Sequence, residues 1–260
     1  MKILVMKATP EKDMGIKQPL DELASLLQKR YASPGTQLVC EATDELVGGG
    51  AIHSRQMGAA GLCGFSHYLL TPGIVKKALE AQERGFDAVV VTNNNDPGVE
   101  AARFAVRIPM LGAGKATCHL AATLADRVGI IVPFDTSVPN VFRLLKLYGL
   151  SGYISSIVPA NPPVGKEMIK EKVFECFEKA GKKCLQDGAQ IIVPLCGVFI
   201  PMTLSAKELS DRVGIQVMDC YAVAIGLAEL MVRLGITHSE KAYPALVKIM
   251  SSDIGAPSRG

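Results

Sequence analysis

Two rhythms of apolar residues alternate along the chain. Short unbroken runs, such as Ile3-Leu-Val-Met6, Ala88-Val-Val-Val91, Val128-Gly-Ile-Ile-Val132 and Ile191-Ile-Val-Pro-Leu195, have the length and β-branched content of strands covered on both faces. Between them lie stretches whose apolar positions recur at helical spacing, as Leu23, Leu26 and Leu27 do within residues 21–31. Read in order, the pattern predicts strands at 2–6, 37–40, 87–92, 128–132, 152–158 and 190–196, and a further apolar run at 108–111. It predicts helices at 21–31, 98–106, 112–124, 140–147, 166–185 and 220–234, with another beginning near Ser205. Thr71-Pro-Gly73 has the signature of a helix start, Thr71 as N-cap and Pro72 at the first helical position, and that helix closes at Arg84-Gly85.

Strands alternating with helices imply an α/β fold with parallel sheets. The order of elements restarts near Val128. Leu124-Ala-Asp-Arg-Val-Gly129 and Leu230-Met-Val-Arg-Leu-Gly235 share Leu, Arg and Gly at an offset of 106, and the loops at Asn93 and Cys196 are offset by 103. Identity between the halves is slight, so the repeat rests on element order. It implies two pseudo-symmetric Rossmann-like lobes, 1–112 and 113–218, with an active-site cleft between them and residues 219–260 packing back on the first.

Composition narrows the class of protein. The 260 residues are 48% apolar and 20% charged, with a net charge of +3 and no Lys/Arg-rich cluster, which argues against nucleic acid as the main partner. No apolar stretch approaches the ~20 residues that span a membrane, and Met-Lys-Ile-Leu-Val-Met-Lys runs directly into a strand rather than a signal peptide. Seven widely spaced cysteines fit reduced thiols in a cytoplasmic protein better than a disulfide framework. The histidines, at 53, 67, 119 and 238, are scattered, and no zinc-binding spacing exists. Apolar helices such as 222–234 can serve a core or a homo-oligomer interface equally well.

Candidate chemistry follows from position. Open α/β sheets bind ligands at the carboxyl ends of their strands. Cys196 stands there with Gly197 beside it, and its thiol reads either as a catalytic group or as an inert core residue. The second strand-end loop is Asn93-Asn-Asn-Asp-Pro-Gly98, which carries no thiol. Thr136 and Ser137, after the strand at 128–132, can hold an anion or cap the next helix. Cys118 and Cys220 lie near helix starts, where the dipole favours thiolate, but on apolar helices that read as core. The glycine-rich stretch 47–66, with Arg55, reads as a lid near the cleft or as a surface loop. Gly112-Ala-Gly-Lys115 lacks the earlier glycine of a phosphate loop, Pro109 standing in its place, and reads as a helix start with tight backbone packing. Lys7-Ala-Thr-Pro10 replaces any dinucleotide fingerprint after the first strand.

Taken together, Thr92-Asn-Asn-Asn-Asp-Pro-Gly98, Val193-Pro-Leu-Cys-Gly197 and Gly214-Ile-Gln-Val-Met-Asp219 resemble the aspartate/glutamate/hydantoin racemase superfamily, and its hydantoin racemase branch in particular. The resemblance runs over nearly the whole chain and includes Ala32-Ser-Pro-Gly-Thr36. It implies a two-lobed enzyme without cofactor, in which a cysteine from each lobe flanks a carbon next to a carboxylate or carbonyl. Cys196 matches the second cysteine, whereas the first falls on Asn93, whose amide is no base near neutral pH. The implied substrate contacts are Asn93, Asn94, Gly197 and Val198, with Thr136 and Ser137 from the middle strand's loop. Three functions remain open: a racemase or isomerase acting on a small carboxylate or hydantoin-like substrate, a decarboxylase or lyase with Cys196 as its only acid (as in arylmalonate decarboxylase-like members), and a non-catalytic carboxylate-binding protein.

Overall fold

The computed structural model describes residues 1–8, 20–43, 65–163, 169–197, 199–245 and 247–254. The chain divides into two compact units, one drawn from Met1–Arg55, Phe65–Gly112 and Ala224–Gly260, the other chiefly from Ala113–Val223.

The first unit holds a parallel sheet in the order β2-β1-β3-β4, formed by β1 (Lys2–Lys7), β2 (Gln37–Ala42), β3 (Ala88–Val91) and β4 (Met110–Gly112). Ile3 to Met6 and Ala88 to Val91 are fully buried, which is why these strands are written as unbroken apolar runs rather than alternating ones. Helix α1 (Leu20–Tyr31) turns Leu23 and Leu27 inward and matches its own dipole with Asp21 and Glu22 at the start and Lys29 and Arg30 at the end. Arg84 closes a two-pronged ion pair on Glu41 at 2.8 and 2.9 Å, joining the end of the next helix to β2.

That helix, α2 (Phe65–Glu83), corrects one expectation: Thr71 is not its cap, and Pro72 lies inside it. Leu70, Ile74, Ala78 and Ala81 are buried at helical spacing on both sides of the proline, so core packing carries the helix through. The bond that Pro72 cannot donate would have reached the carbonyl of Tyr68, an exposed residue. Helix α3 (Val99–Ala105) follows β3. Beyond residue 224 the chain returns to this unit: Glu229, 4% exposed, takes hydrogen bonds from the Ser33 N–H and hydroxyl. His238 Nε2 meets the Val106 carbonyl at 2.9 Å, and the Glu83 carboxylate holds the Ser251 N–H and hydroxyl.

In the second unit α4 (Ala113–Leu124) precedes a parallel sheet ordered β6-β5-β7, made of β5 (Val128–Val132), β6 (Ile154–Pro159) and β7 (Ile191–Pro194). Val217 bridges to Ile192, and Ile192 exchanges backbone bonds with Gln216 and Met218, so this segment extends the sheet past β7. Helix α5 (Val138–Leu147) starts two residues earlier than spacing implied, after a 3₁₀ turn at Asp135–Ser137. A second such turn, Ser151–Tyr153, delays β6 to Ile154. Helix α6 (Lys170–Gln186) buries Val173, Phe174, Phe177, Ala180, Gly181 and Cys184 as one stripe. Gly181 lets α7 (Ala206–Val213) approach closely: a Cβ there would stand 2.6 Å from a Val213 methyl. Ser205 caps α7 through the Glu208 N–H, as its position before the helix predicts. Helix α8 (Cys220–Leu234) begins in this unit and ends in the first. Among the described residues no helix is long and apolar enough to cross a membrane.

Candidate active site

The candidate site forms where β7 ends. Strand pairing stops at Pro194, shorter than the apolar run, so Leu195 and Cys196 are the first residues beyond the sheet. The Leu195 N–H still donates to Ile131 of the neighbouring strand at 2.9 Å. The Cys196 thiol donates to that same carbonyl at 3.3 Å and is only 2% exposed. Its own carbonyl accepts the N–H groups of Phe199 and Ile200 at 2.8 and 3.2 Å. Cys196 is thus held by main-chain bonds on both sides. Burial pushes its thiol well above the ordinary cysteine value, and the neighbouring Cys220 thiol adds to the rise. The group is a protonated thiol at neutral pH.

The start of α8 braces this corner. Asp219 Oδ1 accepts the N–H groups of Tyr221 and Ala222 at 3.0 and 3.1 Å and so fixes the first turn. Cys220, fully buried, donates its thiol to the Pro194 carbonyl at 3.3 Å. Tyr221, 1% exposed, donates its hydroxyl to the Gly197 carbonyl at 3.1 Å. Sequence reasoning placed Cys220 in the core, which is where it lies, but gave no sign that this turn brackets Cys196 from both sides. A buried tyrosine needs a partner for its hydroxyl, and that need was the available signal.

Because β5 and β7 are parallel neighbours, the loop after β5 opens at the same sheet edge as Cys196. Thr136 is exposed there, while Ser137 is buried and makes no side-chain capping bond to α5, so that hydroxyl does not act as a cap. Asn161, at φ 49°, donates its side-chain amide to the Asp135 carboxylate at 2.9 Å and accepts the Asp135 backbone N–H at 3.2 Å, which ties the β5 loop to the β6 loop. Val198 and the stretch 47–64 with Arg55 lie outside the described residues.

Asn93 and Asn94 lie on the loop after β3, in the other unit. Asn94 is buried and Asn93 half-buried, with the Asn93 side-chain oxygen accepting the Asn95 N–H at 3.1 Å. The Thr92 N–H donates to Met6 at 3.1 Å, and the Asp96 N–H to the Asn93 carbonyl at 2.9 Å. Asp96 takes φ 52°, a left-handed conformation that aspartate tolerates, and Gly98 takes φ 67°. Gly112 follows the helix-start reading: a Cβ there would stand 2.3 Å from Asp96 Cγ, so a bare glycine is required under that carboxylate. Among the described residues no group of three or more His, Cys, Asp or Glu side chains is placed to hold a metal ion.

Comparison with known proteins agrees with this architecture. The family model described as Asp/Glu/Hydantoin racemase matches residues 60–228. A hydantoin racemase from Pseudomonas sp. (strain NS671) is 28% identical over 187 residues, covering 70% of this chain and 73% of the relative. An allantoin racemase from Klebsiella pneumoniae superposes with a TM-score of 0.76 at 22% identity, covering 95% of both chains. An arylmalonate decarboxylase shares the fold at a TM-score of 0.57 and 13% identity, over 88% of this chain and 92% of its own. The extent of the family match, together with parallel sheets and a strand-end cysteine, shows that this chain belongs to the Asp/Glu/hydantoin racemase family.

Proposed function

We propose that the protein is a cofactor-independent racemase that moves a proton at the ring carbon next to the carbonyl of a 5-substituted hydantoin, with Cys196 as the acid–base group. The observation that carries this reading is the Cys196 thiol, buried at the carboxyl end of β7 and hydrogen-bonded to Ile131. A hydrogen on carbon beside a carbonyl is a weak acid, and its removal leaves charge on the carbonyl oxygen. A thiolate whose conjugate acid is raised by burial is a stronger base than an ordinary one, which narrows the gap to the carbon acid. The cost is that little thiolate exists at neutral pH. Return of the proton from Cys196 alone restores the starting enantiomer. Racemisation therefore requires that the enolate take its new proton on the opposite face from water, in place of the thiol that Asn93 does not supply, while Cys196 releases its proton to solvent and regains the thiolate. Donors aimed at the enolate oxygen supply the remaining stabilisation, and Gly197, Thr136 and Ser137 are the groups at this sheet edge suited to it. The hydantoin class rests on the names of the relatives.

A proton NMR time course in D₂O tests the reading on 5-substituted hydantoins, allantoin, amino acids and substituted malonates. Washout of the ring proton by wild type, and its loss in Cys196→Ala, is the expected result. Washout that persists in Cys196→Ala removes the thiol from the mechanism. A second reading is favoured by Asn93, which offers no second thiol, and by the protonated state of Cys196. In it a malonate-type substrate loses CO₂, the C–C bonding pair becomes an enediolate, the Cys196 S–H protonates the carbon, and water restores the thiol. That reaction labels only the product with deuterium, whereas racemisation labels recovered substrate.

A further inference from the structure

We infer that Tyr221 is a positioning residue for Cys196, acting through the Gly197 carbonyl; the inference rests on the proton-transfer reading of Cys196. Cys196 is followed by a residue with no side chain, and glycine peptides rotate more freely than any other. Something must hold the Gly197 peptide if the thiol before it is to keep one direction. The main-chain bonds do part of this: Leu195 is tied to Ile131, and the Cys196 carbonyl takes Phe199 and Ile200. Gly197 receives its bond from a side chain, the Tyr221 hydroxyl at 3.1 Å.

Tyr221 is itself fixed. It is nearly fully buried, and its own N–H is bound by Asp219 at the first turn of α8. The preceding residue, Cys220, holds the Pro194 carbonyl at 3.3 Å. One turn of one helix therefore fastens the strand end two residues before Cys196 and the residue immediately after it. The segment leading into that turn is docked on β7 through both backbone groups of Ile192. The chain of constraint runs from sheet to helix to Gly197 to thiol. Proton transfer depends steeply on the placement of the acid–base atom, and an error of about 1 Å can cost about a hundredfold in rate.

Tyr221→Phe deletes one oxygen and keeps the packing. With 5-benzylhydantoin in D₂O, the expected outcome is a fall of about tenfold or more in kcat. KM should stay within about twofold and the thermal midpoint near that of wild type, because the phenol touches no substrate and fills the same space. A purely structural role would instead lower the midpoint and leave kcat per folded molecule unchanged. The iodoacetamide reaction rate of Cys196, followed by peptide mass spectrometry, gives a readout that needs no substrate. It should change several-fold in Tyr221→Phe, since freeing the Gly197 peptide alters the burial that holds the thiol protonated. If wild type exchanges the proton through Cys196 and Tyr221→Phe keeps kcat within twofold, the positioning role is wrong and the role of Cys196 stands. If wild type exchanges nothing, the proton-transfer reading is at fault, and an unchanged alkylation rate in Tyr221→Phe would then sink the positioning role as well.

Discussion

The loops after β3 and after β7 are built alike and carry different chemistry. One residue past each strand, an N–H returns to the neighbouring strand: Thr92 to Met6 and Leu195 to Ile131. At the next residue the carbonyl accepts an N–H three positions on, Asp96 to Asn93 in one loop and Phe199 to Cys196 in the other. The bonds of Val89 to Pro109 and of Ile192 to Gln216 repeat the correspondence on the outer side of each sheet. Asn93 and Cys196 are therefore equivalent positions in two copies of one backbone design. This sequence fills one of the two matched positions with a thiol and the other with an amide that cannot act as a base near neutral pH, so on the proposed reading only the first can carry proton transfer.

The sharpest way to break the comparison is Cys196→Ala. If the β7 loop carries the chemistry alone, kcat/KM for ring-proton exchange falls by about 10³-fold or more, within the range that a positioned acid–base group contributes. Solvent-exchange NMR reads this directly. A fall of less than about tenfold would move the chemistry away from the β7 loop.

The pH dependence of kcat/KM shows which way the proton moves, because that ratio reports groups of the free enzyme. Burial holds the Cys196 thiol protonated well above its ordinary range. If thiolate must remove a proton, the active fraction rises tenfold per pH unit below that value, so kcat/KM climbs steadily from about pH 6 to about pH 9. If the thiol must donate one, as in decarboxylation, the profile stays flat over the same interval and falls only when the thiol ionises. A flat profile with a hydantoin would count against Cys196 as the base.

Asn93→Cys tests the equivalence from the other side. A thiol placed at the second of the two matched positions should raise the racemisation rate by about tenfold, measured as decay of optical rotation in a single-enantiomer hydantoin. A folded variant with wild-type rate would mean that matched backbone positions do not confer matched roles. Iodoacetamide labelling of the new thiol checks that it is present and reduced.

Most of this contrast was legible before any coordinates. The Val/Ile-rich runs at 88–91, 128–132 and 191–194 are strands because both sheet faces are covered, and burial on both faces is written directly in composition. The offset of 103 between Asn93 and Cys196 was visible, and the hydrogen bonds give it physical meaning. What stayed hidden depends on contacts distant in sequence. Pro72 looked like a helix start because local rules favour it there, and the buried stripe from Leu70 to Ala81 overrides them. Tyr221 and Gly197 stand 24 residues apart, and no local pattern announces their bond. From its place before α5 Ser137 reads equally as an anion contact or as a cap, and its already helical backbone, with no side-chain bond to the first N–H groups, rules out the cap.

The smallest expected effect concerns how each loop is braced. Counting from the matched pairs Val89 with Met110 and Ile192 with Val217, Gly112 in one unit corresponds to Asp219 in the other. Asp219 supplies a carboxylate that fixes the turn beside Cys196. Its counterpart has no side chain, and the Asp96 carboxylate from the Asn93 loop occupies the space above it. Each unit thus places a carboxylate at the same point by a different route. Gly112→Ala puts a methyl 2.3 Å from Asp96 Cγ, so Asp96 must move and the loop that carries Asn93 moves with it. The expected cost is about 1–3 kcal/mol, or roughly 2–4 °C in midpoint for each kcal/mol, read by thermal denaturation. Proton exchange at Cys196 should change less than stability does, since the β7 loop is braced independently by α8. A Gly112→Ala protein that keeps its midpoint but loses exchange would reverse that order and give the Asn93 loop a part in the chemistry.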